Sequence, residues 1–166
     1  IDVKTAGILE NRDNVKRPQI QIPENPGVYS LSGLNVSDRE DVYISIVEKE
    51  ISSGGGCILV MPDVSSAQEI VRRLRASTGD AVSLFHSGLS STAKAETWKN
   101  CLNGKIRAIA GTRVAVFAPV KNLKTIIIEN DGSELHKNPQ RPFYGTISAA
   151  VERSQIHPRR VILGSL

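Results

Sequence analysis

The chain of 166 residues is poor in several residue types, with one methionine, one tryptophan, three phenylalanines and two cysteines. Cys57 and Cys101 stand 44 positions apart in no metal-ligand spacing and no disulfide framework, so both are expected as buried, reduced thiols. No apolar run approaches the roughly 18 residues a membrane helix needs, and no signal-like leader opens the sequence. A cytoplasmic protein with no membrane partner is the resulting expectation. Internal repeats and low-complexity tracts are absent as well, which excludes a solenoid and general disorder. Lys and Arg number 21 against 17 Asp and Glu, and this net charge of +4 permits a polyanionic partner without requiring one. The chain starts at Ile1 without methionine and stops just after a strand-like VILG, which reads as a piece of something longer. Its length suits one domain.

What is present is a regular alternation of two patterns. Residues 1–26 are polar with Pro18, Pro23 and Pro26, and read as a linker or edge segment, with a short helix over 5–11. From there, β-type runs lie at 27–31, 57–61, 81–85, 106–110, 124–129 and 161–164. Helical spacing occupies 38–51, a stretch opening at Ser65, 92–102 and 144–155. Ser37-x-x-Glu40 and Ser65-x-x-Gln68 fit capping boxes, which makes Ser37 and Ser65 the expected N-caps. Trp98, with Cys101 or Leu102, is expected in the core. Strands alternating with helices predict a three-layer α/β domain with a mostly parallel sheet and right-handed crossovers.

The stretch from Gly104 to His136 organises the rest. Its second run ends in three isoleucines followed by Glu129-Asn130-Asp131. A continuous apolar run ending in carboxylates is a central parallel strand with its acidic tip at the sheet's carboxyl edge, where open α/β sheets bind ligands.

HSGLS at 86–90, GTRVAVFAPVKNLKTIIIE at 111–129, then Lys137, Pro142, Tyr144 and VILGS at 161–165 resemble, in that order, the first helicase motor domain of the primosomal protein N′ (PriA) family. The resemblance covers roughly 27–166. It implies a RecA-like, P-loop-NTPase-like fold, ATP and Mg²⁺ as the family's cofactors, and branched or forked DNA and primosome (replication-restart) proteins as partners. It also implies that a whole protein would carry an N-terminal DNA-binding region, a second motor domain and a zinc-binding insertion outside these residues.

Against the family's phosphate loop, G-x-x-x-x-G-K-T, this chain places Gly33 on the first glycine, Asp38 on the second, Arg39 on the lysine and Glu40 on the hydroxyl that holds Mg²⁺. Phosphate loops work because free backbone N–H groups at a helix N-terminus face the anion. Here carboxylates stand where donors are needed. Against the family's Asp-Glu-Glu-His the chain reads Glu129-Asn130-Asp131-Gly132, and an amide at Asn130 is no general base. Both halves of the site depart from the pattern together, so no catalytic residue and no cofactor is assigned. Glu129 is left as a water-mediated Mg²⁺ holder at most, and Arg39 as a phosphate partner without a cradle.

The resemblance places Thr112 and Arg113 near the DNA path, against the plainer reading of a capping Thr and a surface Arg. Pro62 and Asp63, at the start of the helix capped by Ser65, stand where a DNA phosphate is taken, although Asp63 is a poor neighbour for one. His86 and Ser87 line the same edge or make only local hydrogen bonds. The expected function is a DNA-binding and scaffold domain without ATPase or helicase activity. Two alternatives remain: an active ATP-dependent helicase with an atypical site, and a protein-interaction module of the primosome.

Overall fold

The computed structural model describes residues 3–5, 20, 22–137 and 144–165. Seven strands form one sheet: β1 (Val3–Thr5), β2 (Gly27–Leu31), β3 (Gly56–Val60), β4 (Val82–Phe85), β5 (Ala108–Gly111), β6 (Leu123–Glu129) and β7 (Arg160–Gly164). Their order is β1-β2-β7-β6-β3-β5-β4, with every pairing parallel. Four helices connect them: α1 (Val36–Ser52), α2 (Val64–Thr78), α3 (Ser91–Leu102) and α4 (Thr146–Ile156). The three-layer α/β expectation is met.

Two apolar layers sandwich the sheet. On one face Val42, Tyr43, Ile46 and Val47 of α1 and Ile70, Val71 and Leu74 of α2 cover Leu59, Ile127 and Ile162. On the other, α4 and the segment 115–120 cover Ile58, Ile126, Ile128 and Val161. Successive isoleucines of β6 therefore serve opposite layers, as a pleated strand buried on both sides requires. Trp98 is only half-buried but packs on Phe85 with ring centroids 5.5 Å apart. Cys101 is buried, whereas Leu102 is 60% exposed, which settles the choice between them. Both cysteines are free and buried. Among the described residues, no helix is long and apolar enough to cross a membrane.

Several boundaries differ from the sequence expectation. Part of the polar N-terminal segment forms the edge strand β1; the helix expected over 5–11 otherwise falls outside the described residues, as do Pro18 and Pro142. The run at 106–110 begins pairing only at Ala108. Ile106 instead donates its N–H to the Asn100 carbonyl, closing the turn in which Gly104 adopts φ +80°. The caps differ too. Asn35, not Ser37, caps α1: its side chain accepts the Asp38 N–H at 2.9 Å and donates to the Asp38 carboxylate at 2.8 Å. Asp63, not Ser65, caps α2, accepting both the N–H (2.8 Å) and the hydroxyl (2.9 Å) of Ser66. Asn and Asp cap as well as Ser does, and in each case the earlier residue has the extended backbone that a cap needs.

Candidate functional site

All seven strands point the same way, so the loops that follow β2, β3, β4, β5, β6 and β7 emerge at one edge. Arg39 stands in the first turns of α1, after the β2 loop, and Glu129 ends β6. Between β2 and β6 lies β7, so the two side chains meet over its tip. The crossing requires Gly164: a Cβ there would sit 1.9 Å from the Tyr43 hydroxyl and 2.6 Å from Glu129 Oε2.

Arg39 is wholly buried and Glu129 is 3% exposed. Arg39 Nη2 donates to Glu129 Oε1 at 2.6 Å, and Nε is shared between Oε1 (3.2 Å) and Oε2 (3.1 Å). Its Nη1 donates to the carbonyls of Leu34 (2.6 Å) and Ser165 (3.1 Å). Tyr43, also fully buried, donates its hydroxyl to Glu129 Oε2 at 2.6 Å. The hydrogen bond that Arg39 donates to Glu129 holds the guanidinium above its ordinary pKa, and burial, then the Glu129 charge, drives the Tyr43 phenol up. The planar fork suits this work: a lysine ammonium could not reach a carboxylate and two carbonyls on different segments at once.

The other residues that the resemblance sets against the phosphate loop turn elsewhere. Asp38 is occupied with the Asn35 cap, and that cap consumes a helix N–H which an anion would otherwise use. Glu40 does not close a capping box with Ser37; it takes Arg73 of α2 at 2.9 Å, and Asp41 pairs with the same guanidinium. Gly33 is exposed with φ +79°, which a non-glycine residue would resist. Arg39 is therefore engaged by Glu129 and main-chain carbonyls, not free to meet a phosphate. The Glu129 oxygens that would face a metal's water shell already accept from Arg39 and Tyr43. These residues do not fit a nucleotide triphosphate and its Mg²⁺ in this arrangement.

At the exit of β6, Asn130 adopts φ +54°. Asn is among the few non-glycine residues that tolerate this left-handed turn, which gives it a conformational reason to stand there. Asp131 donates its N–H to the Gly164 carbonyl at 2.9 Å, and its side chain has no hydrogen-bond or ion-pair partner among the described residues. Gly132 is exposed on the same turn. Four residues on, His136 returns beneath it, 3% exposed, with Nε2 at 2.7 Å from the Glu129 carbonyl oxygen. Among the described residues, its Nδ1 has no partner. The Thr146 hydroxyl donates to the His136 carbonyl at 2.8 Å, which ties this loop to α4. Sequence reasoning missed His136 and Tyr43 as members of the site. The signal for Tyr43 was available, one helical turn from Arg39 on the same face; nothing local marked His136.

The residues expected to touch DNA fall at the tips of three neighbouring strands on the far half of the same edge. Pro62 and Asp63 follow β3, His86 and Ser87 follow β4, and Thr112 and Arg113 follow β5. Thr112 precedes a 3-10 turn over Arg113–Phe117 without capping it through its side chain. Arg113 has no hydrogen-bond or ion-pair partner among the described residues. His86 Nδ1 accepts the Gly88 N–H at 3.2 Å, and the Ser87 carbonyl accepts from Lys94 at 2.5 Å. Asp63 is committed to its cap, which leaves the α2 N-terminus poorly suited to an anion. The tip of β5 is closely built, since a Cβ on Gly111 would meet the Phe85 carbonyl oxygen at 1.8 Å. Among the described residues, no group of three or more His, Cys, Asp or Glu gathers to hold a metal.

With this geometry in view, comparison with known proteins gives a consistent result. No family model matches the chain. Over 138 residues it is 32% identical to the replication restart protein PriA of Bacillus subtilis, covering 83% of this chain and 17% of that protein. The corresponding protein of Synechocystis is 32% identical over 136 residues, 81% of this chain and 16% of its own length. That of Thermotoga maritima is 34% identical over 115 residues, 69% of this chain and 16% of its length. Among solved structures, the C-terminal domain of yeast Dbp5 bound to Gle1 and IP6 superposes with TM-score 0.61 at 15% identity, covering 81% of this chain and 73% of that one. The helicase MrfA bound to DNA gives TM-score 0.58 at 8% identity, with 82% and 20% coverage. At such identities the structural likeness shows the fold alone, and that fold is RecA-like.

Proposed function

This chain belongs to the PriA family of replication restart proteins, and from that premise we propose that it is a DNA-binding and scaffold domain working without ATP hydrolysis or unwinding. It spans less than a fifth of the length of those relatives, 17% in the first case, so the activity of a whole protein is part of the proposal. Within that reading it is the first of two motor domains, acts in the bacterial cytoplasm, and engages forked or branched DNA together with other primosome proteins.

The observation that carries the reading is the state of Arg39. The side chain that the resemblance sets against the phosphate-loop lysine is fully buried and spends its donors on Glu129, Leu34 and Ser165. Freeing it for a nucleotide would leave the buried Glu129 carboxylate without its counter-charge, a loss of about 3–5 kcal/mol for pairs of this kind. Mg²⁺ would in turn have to displace Arg39 and Tyr43 from the same oxygens. Support for DNA binding comes from Arg113, which stands beside Thr112 and has no side-chain partner among the described residues, since phosphate contacts fall to Arg and hydroxyl side chains at such edges.

The test is equilibrium binding of a fluorescent ATP analogue with Mg²⁺ beside binding of forked DNA at increasing salt, on this domain and on the full-length protein. We expect no nucleotide binding, and DNA affinity that falls as salt rises because phosphate contacts release counterions. Competitive nucleotide binding with DNA-stimulated hydrolysis, abolished by Arg39→Ala and Glu129→Gln, would establish an active helicase instead. Absence of DNA binding at low salt would leave a protein-interaction module.

A further inference from the structure

The misfit between this site and a nucleotide has a positive counterpart: the place is already filled from within. We propose that Arg39 is a tethered cation that holds the strand-tip edge in one fixed arrangement, and so positions the Arg113 segment for its ligand independently of any nucleotide. The inference rests on the DNA-binding reading for what Arg113 does, and on hydrogen bonds joined by the loop after β6 and by α4 for how it is held.

One guanidinium fastens three segments to α1: the loop after β2 through Leu34, the tip of β7 through Ser165, and the tip of β6 through Glu129. From Glu129 the connection continues through hydrogen bonds joined by the main chain of the loop and of α4. The Glu129 main-chain carbonyl holds His136 Nε2, and the His136 carbonyl accepts from Thr146 in the first turn of α4. One to two turns later on α4, Arg153 donates to the carbonyls of Val116 and Ala118. Those carbonyls belong to the 3-10 turn Arg113–Phe117 and the residue after it. Every member between the ends is buried or half-buried, where unmade hydrogen bonds are costly and the arrangement is correspondingly stiff.

In an open site, a cation arriving with a phosphate would complete such a network only while bound. Here the cation is covalently part of α1, so the network is complete in the free protein. The Arg113 segment then has no second state for nucleotide to select, and a ligand without differential affinity for two states shifts nothing. Arg39 is a positioning residue in this scheme; it touches no substrate.

Amide hydrogen exchange provides the test, because it reads the network without requiring DNA to bind. Arg39→Ala is compared with Glu50→Gln, which disturbs a separate ion pair at the opposite edge of the sheet. We expect faster exchange over 111–118 and 131–137 in Arg39→Ala than in Glu50→Gln at matched global stability. Millimolar guanidinium, far below denaturing levels, should restore protection by refilling the vacated site, whereas methylammonium and Arg39→Lys should not. Forked-DNA affinity of Arg39→Ala should fall by about 10-fold and recover with guanidinium. If Arg39→Ala does not fold, the apolar pair Arg39→Met with Glu129→Leu replaces it and should show the same exchange pattern. Equal exchange over 111–118 in the Arg39 and Glu50 variants would overturn the proposal whatever the DNA result. Altered exchange in a protein that binds no DNA would uphold the network and reject only the DNA-binding reading.

Discussion

Arg39 and Glu129, 90 residues apart in sequence, form a buried ion pair that passes over the tip of an intervening strand at Gly164. Among the described residues, neither partner has a second ion pair. The pair should therefore behave asymmetrically on substitution. Arg39→Met and Glu129→Leu are each expected to lower stability by about 3–5 kcal/mol, while the double substitution costs far less than the sum. A denaturant double-mutant cycle measures this, and simple additivity would show that the pair is not coupled.

Gly164→Ala places a methyl group against both Tyr43 and Glu129. The neighbours can yield only by breaking the short hydrogen bond between them. We expect a loss of about 1–3 kcal/mol, the usual range for overpacking, read as a lowered denaturation midpoint with unchanged slope. A neutral result would mean the carboxylate can move aside.

Glu50, Thr125 and Arg160 form a second buried polar group where β6 and β7 begin. Arg160 meets Glu50 at 2.5 Å, and Thr125 donates to the same oxygen at 2.7 Å. Because this clasp lies at the other end of the strands, Arg160→Met should destabilise the fold by about 3 kcal/mol. Forked-DNA affinity, measured below the unfolding midpoint, should stay unchanged. A selective loss of DNA affinity would contradict the assignment of the ligand to the carboxyl edge.

Arg113→Ala removes from that edge a cation with no partner among the described residues. The expected consequence is weaker DNA binding of roughly 1–3 kcal/mol, with the slope of log affinity against log salt reduced by about one and stability nearly unchanged. Fluorescence anisotropy at several salt concentrations checks all of this. An unaltered slope would remove Arg113 from the interface.

Burial pushes the Cys101 thiol from its ordinary 9.0 up to about 11, and the Cys57 thiol is driven up as well, by burial first and by Glu50 next. The unfolded chain thus releases these protons earlier than the folded one as pH rises. The stabilising contribution is complete below about pH 9 and declines above it, Cys101's share being spent by about pH 11. Cys101→Ala should be less stable than the parent at neutral pH, where it leaves a small cavity, yet show a shallower alkaline decline. An identical slope in denaturation series between about pH 8 and pH 10.5 would refute this.

The sequence by itself determined the architecture. Three isoleucines before a carboxylate, helices separated by glycine turns and strands at regular intervals leave few alternatives to a parallel sheet. Local pattern sufficed there because burial on both faces, helical periodicity and turn chemistry are properties of neighbouring residues. The same information failed at the caps, where Ser37 and Ser65 matched a pattern that Asn35 and Asp63 took over. What Arg39 does was decided only in three dimensions. Locally it is a cation in the first turns of a helix, equally ready for a phosphate; the strand order brings Glu129 opposite it, and Gly164 leaves room for the two to meet. His136 joins the site because the loop after β6 folds back under its own strand end. Long-range electrostatics and the space above a strand tip depend on which strands are neighbours, and that is set by the packing of the whole sheet.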